Sequence, residues 1–362
     1  GDMELKGVRV EGETLTAISK DLGERLEMTE AAIYDLAGGE KFNINSTRQL
    51  GHILFDRLGL PPIKKTKTGY STNAAVLEQL YDHHPIIGLI MDYRQLIKLK
   101  STYVDALPQT IHPQTGRVHT IFKQAVTATG RLSSVEPNLQ NIPIRMEEGR
   151  RIRKAFTAAP GGWLLLSADY SQIDLRVLAH ITGDPTLIET FEAGIDIHAR
   201  TASEIFKVPV EDVTPELRYR AKAVNFGIIY GISDFGLARD TGVSRSEAGE
   251  YIASYLDSYP GVKRYMQEIV ETGRELGYVS TILGRRRYLP DLMSSNRMVR
   301  AVAERMALNT PIQGSSADII KLAMLKIDGE LKANNLQSRM ILQVHDDLLL
   351  EVAADELKQV AG

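Results

Sequence analysis

The sequence predicts an α+β fold, and three observations carry that prediction. Apolar residues recur at helical spacing over long tracts, as Leu15, Ile18, Leu22 and Leu26 do near the start. Trp163-Leu-Leu-Leu-Ser-Ala-Asp169 has the density of apolar side chains of a buried strand, with an aspartate where it stops. Arg339 to Val352 reads as two further strands that meet in a tight acidic turn at His345-Asp346.

Roughly the first hundred residues are expected to be helical. Ser46-Thr-Arg-Gln49 is a capping box that leads into Leu50, Ile53 and Leu54, and a helix is expected over Asp92 to Leu107, after the turn-rich Pro61 to Gly69. From Ile111 to Ala128 the β-branched content and the turn signal Pro113-Gln-Thr-Gly116 predict a hairpin. Behind the Trp163–Asp169 strand, Ile173, Val177 and His180 give a helical period. Helical pattern then fills His198 to Asn296. Within it, Thr214 can cap, Pro215 suits the first helical position, and Glu216 sits near the positive end of the helix dipole. Gly227 and Gly231 mark a close backbone approach and a stop. A second capping box, Ser244 to Glu247, precedes Ala248, Ile252 and Tyr255. The next long helical stretch is expected to break near Pro311, because proline lacks an N–H and crowds the preceding turn.

With 362 residues, 43% apolar and 25% charged, the composition is that of a globular chain large enough for two or three cores. Pro85 to Met91, among the longest apolar stretches, is far short of the roughly 20 residues that span a bilayer, so no membrane association is expected. Zero cysteines excludes disulfides, thiol nucleophiles and Cys-ligated zinc. With a start that lacks the basic and apolar regions of a secretory signal, this favours an intracellular, cytoplasmic protein. A net charge of −3 speaks mildly against a chain coated in nucleic acid, but basic residues cluster at Arg145, Arg150, Arg151, Arg153 and Lys154, and again at Arg285, Arg286 and Arg287. Either cluster alone reads as a solvated face.

Chemistry is suggested by two patterns. Arg218, Lys222, Phe226 and Tyr230 follow one another at a four-residue step, which turns about 400° on a helix and leaves them on one slowly drifting stripe. Two cations and two rings on one face suit a nucleoside triphosphate; the plain alternative is a solvated amphipathic helix whose Phe226 enters a core. The second pattern is acidic. Asp169 and Asp346 both stand where an apolar strand stops, a place where an aspartate caps a turn or holds a cation. Adjacent strands could bring the two together, and neighbouring carboxylates call for hard divalent cations such as magnesium. Two such ions would stabilise the attacking and leaving oxygens of a phosphoryl displacement, and with the cationic stripe the reaction class becomes nucleotidyl transfer. No GxxxxGK[ST] loop is present, which disfavours a P-loop ATPase.

Several longer motifs support this reading: Thr129-Gly-Arg-Leu-Ser-Ser134, Pro137-Asn-Leu-Gln-Asn-Ile-Pro143, Asp169-Tyr-Ser-Gln-Ile-Asp-Leu-Arg176, Asp196-Ile-His198, Arg218 to Gly231, Thr310-Pro-Ile-Gln-Gly314 and Gln343-Val-His-Asp346. In these, over nearly its whole length, the chain resembles family A DNA polymerases, in their bacterial polymerase I branch. The resemblance implies a right-hand architecture of thumb (1–110), palm (111–197), helical fingers (198–298) and the second part of an antiparallel palm (299–362). It implies primer-template DNA and deoxynucleoside triphosphates as partners, a role in replication and repair, a monomer near the bacterial nucleoid, and two Mg2+ ions, with Mn2+ able to substitute. Asp169 and Asp346, with the backbone carbonyl of Tyr170, would hold the metals, and Lys222 would join the two aspartates in catalysis. Arg218, Lys222, His198, Phe226, Tyr230, Gln172 and Asp174 would contact the nucleotide. Arg131, Gln140, Asn141, Arg145, Arg305, Asn309, Gln313 and His345 would contact DNA.

Two residues depart from the family pattern: Asp174 and Asp347 stand where glutamate is usual. No proofreading or 5′-nuclease domain is expected in this chain, and relatives continue past its last residue with a further helix and strand. A phage or organellar polymerase, a catalytically inactive nucleic-acid-binding relative and a single-subunit RNA polymerase are the competing readings.

Overall fold

The computed structural model describes every residue except 67, 68, 144 and 145. The chain forms two compact units: Gly1–Ile121 with Ser134–Leu165, and Phe122–Ser133 with Leu166–Gly362. It therefore passes from one unit to the other at 121–122, 133–134 and 165–166.

In the first unit, the helix Gly12–Leu36 buries Leu15, Ile18, Leu22 and Leu26 on its periodic face. It packs against the helix Ile86–Leu99. That helix begins six residues before the expected Asp92, because Ile86, Ile87 and Ile90 are core positions and Pro85 supplies its N-cap. It gives way to a π turn at Lys100–Val104. The capping box at Ser46 forms only in half. Ser46 accepts from the Gln49 N–H, but the Gln49 side chain turns away to take the N–H of Asn43 at 2.7 Å. The expected hairpin is present as Ile111–His112 and Arg117–Val118, closed by the Gly116 N–H on the His112 carbonyl at 2.8 Å. It joins Val8–Val10 and Phe156–Thr157 in a four-stranded sheet.

A three-stranded sheet has the order Arg339–Val344, Asp347–Ala353, Trp163–Asp169, and the second unit holds all of it from Leu166 onward. The first two strands pair antiparallel, with Val344 opposite Asp347 across the acidic turn. Contrary to expectation, no residue of Trp163–Asp169 is buried, and Leu164 is 41% exposed. The strand lies at the sheet's edge with one neighbour, so apolar density alone misjudged its surroundings.

Helices Ile173–Thr182, Ile197–Phe206, Pro215–Ile229, Arg245–Ser258 and Pro260–Leu276 follow. The capping box at Ser244 is complete, with both reciprocal bonds made. The helical tract is interrupted by a hairpin, Tyr278–Ser280 with Arg286–Tyr288, turned at Gly284 in the left-handed region. The helix Arg297–Ala333 then runs unbroken through Pro311. Its core face is buried on both sides of the proline, from Ala307 to Ala317, and that burial outweighs the one lost backbone bond.

Candidate active site

The sheet brings the two strand-end aspartates together. One residue beyond Asp169, the Tyr170 N–H donates to the carbonyl of Asp346 at 3.4 Å. Asp346 lies in the turn after Val344, where His345 adopts a left-handed φ of 58° and accepts on its carbonyl from the Gln343 amide. Burial raises the pKa of Asp169, and the charges of Asp346 and Asp347 raise it further. Burial raises that of Asp346 too, with Asp174 adding and a backbone bond, Arg131 and His345 opposing. Neither aspartate has an ion-pair partner among the described residues. The negative charge is only partly compensated, and a divalent cation would neutralise it. No three His, Cys, Asp or Glu gather into a cage among the described residues, so the pair fits an ion that keeps its own water and substrate oxygens, as magnesium does. Asp347 is otherwise engaged, accepting from the Ser167 hydroxyl at 2.6 Å.

Gln172 enters the next helix in a left-handed conformation, and its carbonyl accepts the N–H groups of Leu175 and Arg176. Asp174, in that helix's first turn, is buried. Its Oδ2 takes a hydrogen bond from Arg131 at 3.2 Å, while its Oδ1 is enclosed without a partner.

The stripe residues lie on the helix Pro215–Ile229, capped by Thr214, whose hydroxyl accepts the Leu217 N–H at 3.3 Å. Arg218 grips Asp196 through two nitrogens, at 2.7 and 3.2 Å. Asp196 gives its other oxygen to the N–H groups of His198 and Ala199, both at 2.9 Å, and so caps the helix that carries His198. Lys222 Nζ lies 6.0 Å from the Phe226 ring centre, and the His198 ring lies 5.8 Å from it. Two cations, a buried imidazole and a phenyl ring are thus gathered together. Tyr230 stands exposed at the helix end. Gly227 leaves no room for a side chain: a Cβ there would come within 2.6 Å of Ile232 Cγ2. Gly231, at φ 63°, lets Arg305 pack as close as 2.9 Å to where a Cβ would be.

Arg305, Asn309 and Gln313 are successive four-residue steps on Arg297–Ala333. Arg305 is exposed, Asn309 donates to the Ile229 carbonyl at 3.5 Å, and Gln313 is buried. Gln140 and Asn141 belong to the other unit. Gln140 accepts the Ser134 N–H at 3.1 Å, and the Asn141 carbonyl accepts from Tyr103 at 2.7 Å. Arg145 lies outside the described residues.

The second basic cluster is not a solvated face. Arg285 donates to Asp318 at 2.8 Å and to the carbonyls of Thr129 and Gly314 at 2.6 and 2.9 Å. Its guanidinium carbon sits 2.5 Å from where a Cβ on Gly130 would be, so glycine is required there. Arg287 donates to Thr310 at 2.9 Å, and Arg286 stacks over Tyr278. The first cluster is engaged in part, through Arg151, which donates to Asp21 at 2.6 Å.

Sequence reasoning passed over Asp196 as a working residue, although an aspartate followed by a helical period is a visible cap signal. It also passed over Asn225, Thr201 and Tyr259. These lie off the charged stripe and are fully buried, and no spacing rule singles them out.

The family model for DNA polymerase family A matches residues 12–362. The chain is 57% identical to DNA polymerase I of Geobacillus stearothermophilus, over 99% of its own length and 41% of the relative's. It is 52% identical to the thermostable DNA polymerase I of Thermus aquaticus, over 99% of its length and 43% of the relative's. It thus spans about two fifths of these relatives' lengths. Among solved structures, the POL domain of Pol1 from M. smegmatis, in complex with DNA primer-template and dNTP, superposes with a TM-score of 0.94 at 47% identity, covering 99% of this chain and 63% of that one.

Proposed function

The chain belongs to DNA polymerase family A, and from that membership and the paired aspartates we propose that it is a DNA-templated DNA polymerase of the bacterial replication and repair type. The observation that carries the proposal is the meeting of Asp169 and Asp346, both unneutralised, within the same unit as the Arg218–Lys222–Phe226 stripe. In this reading the primer 3′ oxygen attacks the α-phosphorus of a deoxynucleoside triphosphate. The bond from that phosphorus to the bridging oxygen of the β-phosphate breaks, and pyrophosphate leaves. Two Mg2+ ions, replaceable by Mn2+, held by Asp169, Asp346 and the Tyr170 carbonyl, would supply charge neutralisation at the attacking and leaving oxygens.

The chain's own groups do the rest. Arg218 and His198 hold the triphosphate, and Lys222 meets the negative charge that grows on the departing pyrophosphate. Phe226 stacks on sugar and base, Tyr230 and Gln172 bound the nucleotide, and Asp174 lines the sugar. Arg131, Arg305, Asn309, Gln313, His345, Gln140, Asn141 and Arg145 are assigned to DNA contacts that need not read sequence, because minor-groove acceptors are nearly alike in every correct pair. Residues 1–110, 111–197 with 299–362, and 198–298 are assigned as thumb, palm and fingers. Among the described residues no helix is long and apolar enough to cross a membrane. A monomer working at the nucleoid fits the proposal.

Primer extension on a defined template tests it. Asp169→Ala and Asp346→Ala are each expected to abolish extension while primer-template affinity stays within about two-fold. A variant keeping more than a few per cent of the wild-type rate would refute the assignment.

A further inference from the structure

A hydrogen-bonded chain of buried residues ends on His198. Asn225, Thr201 and Tyr259 are each fully buried, and His198 is 2% exposed. Asn225 Nδ2 lies 3.0 Å from His198 Nδ1, Thr201 Oγ1 lies 3.1 Å from Asn225 Oδ1, and the Tyr259 hydroxyl lies 3.1 Å from Thr201 Oγ1.

The direction of the chain follows from its far end. Among the described residues the Tyr259 hydroxyl has one partner, Thr201 Oγ1. Tyr255, whose ring is 4.7 Å from that of Tyr259, has a hydroxyl with no partner among the described residues, so it does not take the Tyr259 proton. Were the amide of Asn225 reversed, Thr201 would donate to Tyr259 and a buried phenol proton would be left without an acceptor, which carries the full desolvation penalty. With Tyr259 donating, each side-chain polar atom from the phenol to His198 Nδ1 has a partner: Tyr259 donates to Thr201, Thr201 to Asn225 Oδ1, and Asn225 Nδ2 to the lone pair of His198 Nδ1. A neutral imidazole whose Nδ1 accepts must carry its hydrogen on Nε2. That nitrogen has no protein partner among the described residues and is not sealed from solvent.

We infer that Tyr259, Thr201 and Asn225 are positioning residues that fix His198 as the Nε2–H tautomer and aim an uncharged donor at the phosphates of the incoming nucleotide, an inference that rests on the nucleotide-binding reading of His198. The groups facing the ring are Asp196 at its own helix cap and Arg218 and Lys222 from the stripe helix. Burial, opposed by Asp196 and aided by the two cations, brings the pKa of His198 down to about 4. A third cation beside Arg218 and Lys222 would be repelled by them, whereas a neutral N–H adds a phosphate bond without that cost.

Imidazole 15N–1H correlation spectra of the nucleotide-free protein test the tautomer, with His198→Gln identifying its signal among the eight histidines. Wild type is expected to show a neutral ring with the proton on Nε2 from pH 8 down to about 5, just above the titration of His198 near 4. In Asn225→Asp the carboxylate demands a donor, so the proton should move to Nδ1 and the ring's pKa should rise. Thr201→Val, nearly isosteric, should give a mixture of tautomers and covers the case in which Asn225→Asp does not fold. The Michaelis constant for deoxynucleotide should rise about ten-fold in Asn225→Asp, the scale of one hydrogen bond to a charged group, with kcat changed far less. An Nδ1–H ring or an imidazolium at pH 7 in wild type, or a tautomer unmoved in both variants, overturns the inference while leaving the polymerase reading intact. A shifting tautomer with an unmoved Michaelis constant overturns the phosphate role. A wild-type chain that extends no primer defeats the polymerase reading and leaves the tautomer result standing.

Discussion

At Asp174 the resemblance to family A polymerases leads one to expect a glutamate, one methylene longer, and the two oxygens of the aspartate are differently placed. Oδ2 is drawn to Arg131, while Oδ1 is enclosed with nothing to accept from. In the proposed nucleotide-binding role, an aspartate on an unmoved backbone ends about 1.5 Å short of where a glutamate would crowd a ribose 2′-hydroxyl. Ribonucleotides should therefore be admitted more readily than by a glutamate-bearing relative. Asp174→Glu is expected to raise the ratio of deoxy- to ribonucleotide kcat/KM about ten-fold, the discrimination of one methylene of steric fit, with little loss of deoxynucleotide rate. Steady-state incorporation of both sugars opposite one template base measures it. An unchanged or lowered ratio would show that side-chain length is not the cause.

Among the elements, the helix Pro215–Ile229 was the most legible, because cap, first-turn proline, periodic stripe and terminal glycines all agree in the sequence. Other elements were hidden for identifiable reasons. The Tyr278–Tyr288 hairpin lies inside a tract of helical pattern, and its sequence signal is local: Tyr278-Val-Ser-Thr-Ile-Leu is rich in strand formers ahead of Gly284. Pro311 signals a break locally, and only the core face, a tertiary feature, carries the helix past it. The two aspartates and the stripe could be named from spacing, but the bonds from Asp196 and Asn225 to the site's side chains are tertiary facts. Gly227 shows where an element's end is fixed by its neighbour. Gly227→Ala would drive a Cβ to 2.6 Å from Ile232 Cγ2, so it should destabilise the protein by about 1–3 kcal/mol, the cost of overpacking. Adding Ile232→Ala should recover part of the stability of that variant. Denaturant melts of the single and double variants check this, and additive losses would mean the clash is not what hurts.

For the whole molecule, stability and the proposed metal-binding role pull Asp169 and Asp346 in opposite directions. Both pKa values are raised, so the folded chain holds these protons more tightly than the unfolded chain. Their contribution to stability is present at low pH and is lost as pH rises from the unfolded pKa through the folded one. Asp196, Asp105 and Glu148, which are lowered, act in the opposite sense and lose their contribution as pH falls. At pH 7 without divalent ions, Asp346→Asn should melt about 1–2 °C above wild type. Magnesium should raise the wild-type midpoint and leave that of the variant nearly unmoved. Scanning calorimetry with and without the ion decides it, and a wild-type midpoint indifferent to magnesium would remove the metal from this site.

The three passages of the chain between its two units also set an order of assembly during synthesis. Segment Phe122–Ser133 leaves the ribosome before the rest of its unit exists, and Arg131 precedes its partner Asp174 by 43 residues, about 2–9 s at ordinary elongation rates. The first unit can close as soon as Leu165 has emerged, leaving that segment as a waiting loop. When Asp174 arrives, the guanidinium that will neutralise it is already there. A fragment begun at Leu166 would have to bury the same carboxylate alone.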